Sequence, residues 1–329
     1  MSNIEVVGLG ALNIDHLYKV ERILDDGETV VTETKSSPGG SAANTIYGLT
    51  KLGVSTGFIG AVGDDAEGKL LIQDFQKVGG DISQIKVKSE AKTGSVICLS
   101  DKLGKRSLYV IPGANNLLAM DDLDLTYIKQ AKVLHVSSFV DDRQFKMLLE
   151  LMDILAPSIK LSFAPGALYA EKGLEALAPV LSKTHILFIN EKEIRQLTSR
   201  DFIDGAKSCL ECGCHIVAVT LGKGTALQLD KGTGYKTVTT VSYIRDAQHE
   251  YIVEPHSQDM VLDAETTGAG DAFATGFIYG LLKGQELEEC GRLGNIVAQF
   301  CITKMGAREG LPTLDQLSQR YQELYSEQL

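Results

Sequence analysis

The chain has 329 residues, 44% hydrophobic and 23% charged, which is enough to bury the core of a large α/β domain and excludes wholesale disorder. Its formal net charge of −11 argues against a nucleic-acid partner, because binding to a phosphate backbone depends on Lys and Arg. The N-terminal residues lack the pattern of a signal peptide and no apolar run approaches a membrane span, so we expect a cytoplasmic protein with no membrane partner.

Short apolar segments alternate with helical segments along most of the chain. Apolar runs predict strands at 4–9, 57–62, 133–136, 159–163, 186–189 and 216–219. Helical spacing predicts helices at 41–52, ended by Gly53, and at 144–155, ended by Pro157. This alternation predicts a mostly parallel sheet with helices on both faces.

Two regions, about 15–37 and 93–112, alternate polar and apolar residues without helical spacing. In the second region, Leu103-Gly104-Lys105 is a plausible hairpin turn between strands at 95–99 and 107–111. We interpret the two regions as one small antiparallel sheet projecting from a single domain that spans 1–329. Such a sheet is suited to act as a lid that excludes water from an active site.

The most informative motif is Glu-Thr-Thr-Gly-Ala-Gly-Asp-Ala-Phe at 265–273. Extended residues lead into Gly268, Ala269 and Gly270, and a helix follows, so first-turn N–H groups are open to an anion that the helix dipole favours. Asp271 has two interpretations from the local pattern. It is a stabilising charge at a helix start or, beside an anion cradle, a base for the proton of an attacking hydroxyl.

Polar residues near the N-terminus form a second candidate cluster. Gly39 and Gly40 open a helix where backbone can approach a polyhydroxyl ligand, and Asn44 offers a donor and an acceptor. Asn13 and Asp15 follow the first strand, at the edge of a parallel sheet where ligands bind. Taken alone, these residues are more often part of turns and helix caps.

From Gly8 to about Pro312 the chain resembles the ribokinase-like carbohydrate kinases, the PfkB group, which includes nucleoside kinases. The resemblance is carried in order by Gly39-Gly40 with Asn44, by Gly60-x-x-Gly63-Asp64-Asp65-x-x-Gly68, and by Thr266-Thr267-Gly268-Ala269-Gly270-Asp271. It implies a ribokinase-like three-layer sandwich with a mostly parallel central sheet and a small β-sheet lid. It also implies transfer of the γ-phosphoryl group of ATP, with Mg²⁺, to a sugar hydroxyl, and a possible homodimer through the lid.

The resemblance implies roles for the residues of the C-terminal motif. Asp271 would be the catalytic base, and the N–H groups of Gly268, Ala269 and Gly270 would form the anion hole. Asn190 and Glu193 match an Asn-x-x-Glu motif that is associated with magnesium and phosphate through bound water. A helix cap with a solvated Glu is the alternative for this pair.

Two further groups of residues match the family's binding sites. The segment Thr220-Leu221-Gly222-Lys223-Gly224 resembles its nucleotide loop, and Asn295 aligns with a residue near the adenine. The residues aligned with contacts to substrate hydroxyls are Asn13, Asp15, Gly39, Gly40 and Asn44.

The chain departs from the family pattern at two positions. Glu265 replaces an Asp tied to a monovalent-cation loop, which leaves potassium activation open, and Ala164 replaces another frequent Asp.

Three other functional classes fit the sequence less well. A dehydrogenase fingerprint beginning at Gly8-x-Gly10 lacks its third glycine, which is replaced by Asn13. A Walker-type NTPase would need a G-x-x-x-x-G-K-[ST] run, and the sequence has none. A non-catalytic sugar sensor would be expected to have lost the base or the anion hole.

Reduced thiols, rather than a zinc site with His215, are the expected state of Cys209, Cys212 and Cys214.

The acceptor is less defined by the sequence than the chemistry. Residues Ile111 to Asn115 resemble ribokinase lids and favour an unphosphorylated, ribose-like sugar. A nucleoside is the second candidate and would need an apolar wall, for which Phe139 and Tyr109 are available. A phosphorylated sugar would need basic residues near the lid, such as Arg106.

Overall fold

The main sheet forms the centre of the protein. A computed structural model describes residues 4–103, 105–230, 235–255 and 267–329. Within these ranges nine strands lie in the order β13-β12-β11-β10-β9-β8-β1-β4-β5. Their bounds are β1 Val6–Leu9, β4 Thr56–Gly63, β5 Ile85–Lys88, β8 Val133–Ser137, β9 Lys160–Ala164, β10 Thr184–Asn190, β11 Ile216–Asp230, β12 Tyr235–Arg245 and β13 Glu250–Val253.

The centre of this sheet is parallel, as the apolar runs predict. Strands β1, β4 and β8 are buried along their whole length, which explains why they are apolar without alternation. The strand predicted at 216–219 is longer in the structure, and it pairs in antiparallel fashion with β12, which pairs likewise with β13. The two strands β12 and β13 were not among the predicted elements.

Helices cover both faces, which completes the three-layer sandwich. One core cluster lies between the sheet and α3–α8, and the other lies between the sheet and α1, α2 and α9–α11. The helix bounds are α1 Ser41–Lys51, α2 Ala66–Val78, α3 Leu125–Ile128, α4 Asp142–Ile154, α5 Gly166–Ala170, α6 Gly173–Leu181, α7 Glu191–Thr198, α8 Phe202–Glu211, α9 Ala269–Leu282, α10 Leu287–Cys301 and α11 Leu314–Tyr325. Among the described residues, none of these helices has the length and apolarity to cross a membrane.

A second, four-stranded sheet has the order β3-β2-β6-β7. Its strands are β2 Asn13–Val20, β3 Val31–Gly39, β6 Gly94–Asp101 and β7 Arg106–Ile111. The antiparallel hairpin of β6 and β7 is confirmed, although Gly104 of its turn lies outside the described residues.

The prediction that this small sheet is wholly antiparallel is wrong. Strands β2 and β6 are parallel, with Asn13 opposite Gly94 and Val20 opposite Asp101. The reason is their common origin: β2 follows β1 and β6 follows β5, and both β1 and β5 run in the same direction in the main sheet. The two strands therefore leave its carboxyl edge side by side, close to the polar residues described next.

Candidate active site

The N-terminus of α9 forms the base of the site. Gly268 precedes the helix with φ of 78°, and a Cβ at this position would lie 2.4 Å from the Cβ of Ala307. Only glycine fits there without strain and overlap. First-turn N–H groups have no carbonyl partner within a helix, so those of Ala269 and Gly270 are placed to bind an anion.

The carboxylate of Asp271 lies in the same helical turn and is held by two donors from α1. The Ser41 hydroxyl donates to Oδ1 at 2.7 Å, and the Asn44 amide Nδ2 donates to Oδ2 at 2.8 Å. Burial raises the pKa of Asp271 to about 6, against the lowering effects of these two hydrogen bonds and of the Arg308 guanidinium. Asp271 is therefore ionised at neutral pH but is a stronger base than an ordinary carboxylate.

The glycine pair that opens α1 is required by close packing. Gly40 has φ of 101°, and a Cβ there would lie 2.1 Å from the carbonyl oxygen of Ala11. A Cβ at Gly39 would lie 2.3 Å from Oδ2 of Asp15. The glycines thus bring the start of α1 against the turn between β1 and β2, where the predicted acceptor-binding residues lie.

Asn13 and Asp15 lie on β2 and are buried, with 6% and 7% of their surface exposed. The side chain of Asn115 donates to Oδ1 of Asn13 at 2.9 Å, and it also bonds the backbone of Leu12 on both sides, N–H and C=O. Asn115 therefore fixes the orientation of the Asn13 amide. The sequence motif around Asn115 suggested a lid, but not this contact.

The segment Gly306-Ala307-Arg308 also contributes to the site and was missed from the sequence. It follows α10, far from both glycine motifs along the chain. Arg308 is only 5% exposed, and its Nε donates to Oδ1 of Asn44 at 2.9 Å. A single arginine in a loop is usually solvated, so the pattern gave no signal for it.

Asn190 and Glu193 form a reciprocal capping box at the start of α7. Asn190 Oδ1 accepts from the N–H of Glu193 at 2.9 Å, and Glu193 Oε2 accepts from the N–H of Asn190 at 3.1 Å. Burial raises the pKa of Glu193, and the nearby charge of Asp271 adds to this, whereas hydrogen bonds with Asn190 lower it. The helix cap of the alternative interpretation is thus present, but the Glu193 carboxylate is half-buried rather than solvated, and it lies within electrostatic range of Asp271.

The residues predicted to bind the nucleotide lie together further along the carboxyl edge of the main sheet. Thr220 pairs with Ser242 of β12, and the ladder then breaks until Thr225, so the intervening residues bulge. Gly222 and Gly224 in this bulge have φ of 59° and 102°. Asn295 on α10 donates to the Ser242 hydroxyl at 3.2 Å, which brings the bulge and the late helix to one place.

A cleft of about 90 Å³ lies beside the Asp271 cluster. Its apolar wall includes Phe139, Val140 and Leu168, and among the described residues no charged side chain lines it. The complete lining is Ala11, Asn13, Ser41, Val110, Pro112, Asn115, Ser138, Phe139, Val140 and Leu168. Tyr109, considered as a wall for a base, is absent from this lining, and the neighbouring Val110 contributes instead.

Several remaining positions have simpler outcomes. Cys209, Cys212 and Cys214 are free thiols at the end of α8 and before β11, and burial raises the pKa of Cys209 to about 12. In the described ranges no group of three or more His, Cys, Asp or Glu side chains could hold a metal ion. Glu265 and the potassium prediction that depends on it, together with Thr266, lie outside the described residues.

Comparison with known proteins identifies the family. The pfkB family of carbohydrate kinases matches residues 3–314, which is almost the whole chain. The chain belongs to the pfkB family. It is 38% identical over 265 residues to an uncharacterized sugar kinase of Archaeoglobus fulgidus, covering 80% of this chain and 98% of that protein.

Two other similarities agree with this assignment. A ribokinase of Staphylococcus aureus is 27% identical, covering 96% of this chain and 99% of its own. The crystal structure of a nucleoside kinase from Methanocaldococcus jannaschii has a TM-score of 0.76 and 21% identity, covering 98% of this chain and all of that one, which supports the fold. The predictions of a ribokinase-like fold and of a carbohydrate kinase are confirmed.

Proposed function

We propose that this pfkB kinase transfers the γ-phosphoryl group of ATP to a hydroxyl of a small, ribose-like sugar, with Asp271 as the base. One observation carries the proposal. The Asp271 carboxylate lies in the first turn of α9 and accepts a hydrogen bond from the hydroxyl of Ser41, which lines the adjoining cleft. A hydroxyl in that cleft would thus reach the base while the phosphoryl group meets the open N–H groups of the same helix.

The reaction follows from these positions. The acceptor hydroxyl gives its proton to the Asp271 carboxylate as its oxygen bonds the γ-phosphorus, and the bond from that phosphorus to the bridging oxygen breaks to release ADP. The N–H groups of Gly268, Ala269 and Gly270 stabilise the charge on the transferring oxygens. Asn13, Asp15 and Asn44 are proposed to hold the other sugar hydroxyls, with Gly39 and Gly40 allowing close approach.

Magnesium fits the side chains near Asp271. A half-buried carboxylate, Glu193, lies within electrostatic range of Asp271, and Mg²⁺ is usually held by one or two carboxylates, waters and substrate phosphates. Asn190 and Glu193 would hold the ion through water, and bound Mg²⁺ would neutralise phosphate charge. Thr220, Gly222, Gly224 and Asn295 are proposed to contact the nucleotide, on the support of their convergence at the β11 bulge.

The lining of the cleft bears on the acceptor. Its uncharged surface supports an unphosphorylated sugar, since a phosphate there would lack a charged partner. Arg106 of β7 reaches the Thr267 hydroxyl, at 3.3 Å, beside the proposed anion hole rather than the cleft. The apolar wall at Phe139, Val140 and Leu168 supports a nucleoside as the second candidate, because a nucleobase would cover it.

A coupled assay of ADP release with ATP and magnesium tests the proposal. Free pentoses and hexoses, sugar phosphates and nucleosides are offered in parallel, with Asp271→Asn as the matched blank. Turnover with a free sugar that the variant lacks is the expected result, and turnover with nucleosides alone would establish the second candidate. Failure of every acceptor, with ATP still bound, would favour the sugar-sensor alternative. Repeating the assay with choline in place of potassium tests the monovalent-cation prediction.

We further propose that the small sheet is a lid and that two copies pair through its outer face. Val110 pairs with the buried Val96, whereas Tyr109 and Ile111 point to the other side and are 56% and 51% exposed. Aromatic and branched side chains exposed on a sheet favour such an interface. Light scattering should give a dimer mass, and Ile111→Asp should give the monomer; a monomeric wild-type protein would refute the pairing.

A further inference from the structure

Arg308 is buried, and its guanidinium donates three hydrogen bonds to other parts of the protein. Its guanidinium donates from Nε to Asn44 Oδ1 at 2.9 Å, from Nη1 to Asp74 Oδ2 at 2.7 Å, and from Nη2 to the carbonyl oxygen of Gly39 at 3.0 Å. The planar group also lies 5.1 Å from the ring centres of Tyr47 and Phe75. One side chain thus links α2, the start of α1 and the loop after α10.

The contact with Asn44 determines which end of that amide faces Asp271. An amide can turn by half a rotation and exchange its oxygen for its nitrogen. Because Arg308 has only donors, it selects the orientation in which Oδ1 faces it and Nδ2 donates to Asp271 Oδ2, at 2.8 Å. The reversed amide would place an oxygen against the carboxylate and a nitrogen against the guanidinium.

We infer that Arg308 is a positioning residue that acts through Asn44 to orient the Asp271 carboxylate and to keep it ionised. The inference rests on the proposed function, in which Asp271 is the base. It assigns Arg308 no contact with the sugar or with ATP. Its effect is on the base that both substrates meet.

The charges around this chain of contacts have opposing effects. Arg308 favours the charged form of Asp271, whereas the charge of Asp271 in turn raises the pKa of Glu193 on α7. Asp74 on α2 and Asp15 on β2 offset the burial of the guanidinium itself. Tyr47, on α1, also lies next to Arg308, and Asp74 raises its pKa beyond the effect of burial.

A purely structural role is the alternative, in which the Arg308–Asp74 ion pair only ties α2 to the C-terminal loop. Three substitutions separate the roles. Arg308→Gln removes the charge next to Asn44, whereas Asp74→Asn breaks the same ion pair from the other side and leaves the contact with Asn44. Arg308→Lys keeps a positive charge but cannot make all three hydrogen bonds at once.

The first measurement is the titration of the Asp271 carboxyl carbon by NMR in ligand-free protein labelled with ¹³C-aspartate, assigned with Asp271→Asn. Arg308→Gln should raise the pKa of Asp271 by on the order of one pH unit. Asp74→Asn should leave that pKa unchanged or lower it, because it removes a negative charge. An unchanged titration in Arg308→Gln, or an equal rise in Asp74→Asn, would overturn the inference.

The second measurement uses the acceptor that the wild-type protein turns over best. Arg308→Gln should lower kcat about tenfold or more with little change in KM for ATP, and shift the acidic limb of kcat upward. Arg308→Lys should retain the limb and lose part of kcat. If Arg308→Gln does not fold, Arg308→Lys and Asp74→Asn still distinguish the positioning role from the structural role. A wild-type kcat in Arg308→Lys together with a lowered kcat in Asp74→Asn would overturn the inference. If the NMR titration shifts as expected but no acceptor reacts, the proposed function fails and the electrostatic link to Asp271 stands.

Discussion

Replacing the proposed base with its amide should stabilise the protein at neutral pH while it removes activity. In the folded state the pKa of Asp271 is raised from 3.8 to about 6, chiefly by burial. The folded protein therefore binds this proton more tightly than the unfolded chain. The stability that protonation provides is complete below about pH 4 and is lost as the pH rises through about 6.

The size of the effect follows from the shift. Two pKa units correspond to about 3 kcal/mol, by which ionisation of Asp271 destabilises the fold at pH 7. The amide that replaces the carboxylate in Asp271→Asn is never charged, and it can still accept from Asn44 and donate to the Ser41 hydroxyl. We expect this variant to unfold about 4 °C higher than wild type at pH 7.5 and at the same temperature at pH 4.

Calorimetry across pH 4 to 8 tests this reasoning, and a second aspartate supplies the control. Asp141, which caps α4, has its pKa lowered to about 2 by the side chain and backbone of Arg143. Asp141→Asn should thus change stability in the opposite sense, because the charged form is favoured there. If the Asp271→Asn protein were no more stable than wild type at pH 7.5, the buried charge would not carry the proposed cost. The same protein should turn over more than about 10²-fold more slowly, the usual contribution of a general base, while it still binds ATP.

Three other substitutions test separate parts of the site. Gly40→Ala should destabilise the protein by about 2 kcal/mol or more in urea unfolding, because the new Cβ would overlap the carbonyl oxygen of Ala11. The control is Gly53→Ala, where φ is also positive but the space is open, and this change should cost about 1 kcal/mol. Equal costs would show that the close approach does not matter. Glu193→Gln keeps the capping box but removes the charge, and we expect the magnesium concentration for half-maximal turnover to rise about tenfold. The variant should be no less stable than wild type, because burial raises the pKa of Glu193 and so disfavours its charged form. An unchanged magnesium requirement would remove Glu193 from the metal site. Leu168→Asn in the cleft should lower kcat/KM for nucleosides about tenfold relative to free sugars, whereas Ile154→Asn, similarly exposed on α4, should not. A uniform loss over both acceptors would argue against a nucleobase on that wall.

Much of the architecture could be predicted because its physical causes are local. A strand buried on both faces must be apolar throughout, and for this reason β1, β4 and β8 were found from short runs. Strand β12 is rich in β-branched residues but has no continuous apolar run, and it pairs in antiparallel fashion with β11 and β13, so the short apolar runs that reveal the central strands do not reveal it. The direction of β6 relative to β2 depends on where both strands leave the main sheet, which no local pattern reports.

The glycine motifs could also be predicted from the sequence, because local backbone geometry requires glycine at these positions. Gly40 and Gly268 have positive φ and lie against backbone or Cβ atoms that exclude any side chain. Such positions stand out in a sequence because no other residue satisfies them. Asp271 could then be singled out by its place next to Gly270.

Arg308 illustrates what remains beyond such reasoning. Its partners Asn44 and Asp74 are 264 and 234 residues away along the chain, and nothing in Gly-Ala-Arg-Glu-Gly distinguishes a buried guanidinium from a solvated one. The cost of burying a charge is offset only by partners that the fold assembles. A buried arginine with a complete set of acceptors is therefore a property of the tertiary structure. One of those acceptors, Asn44, in turn donates to the proposed base, Asp271. Arg308, which sequence patterns miss, is thus the residue that we infer keeps Asp271, which they find, in its charged form.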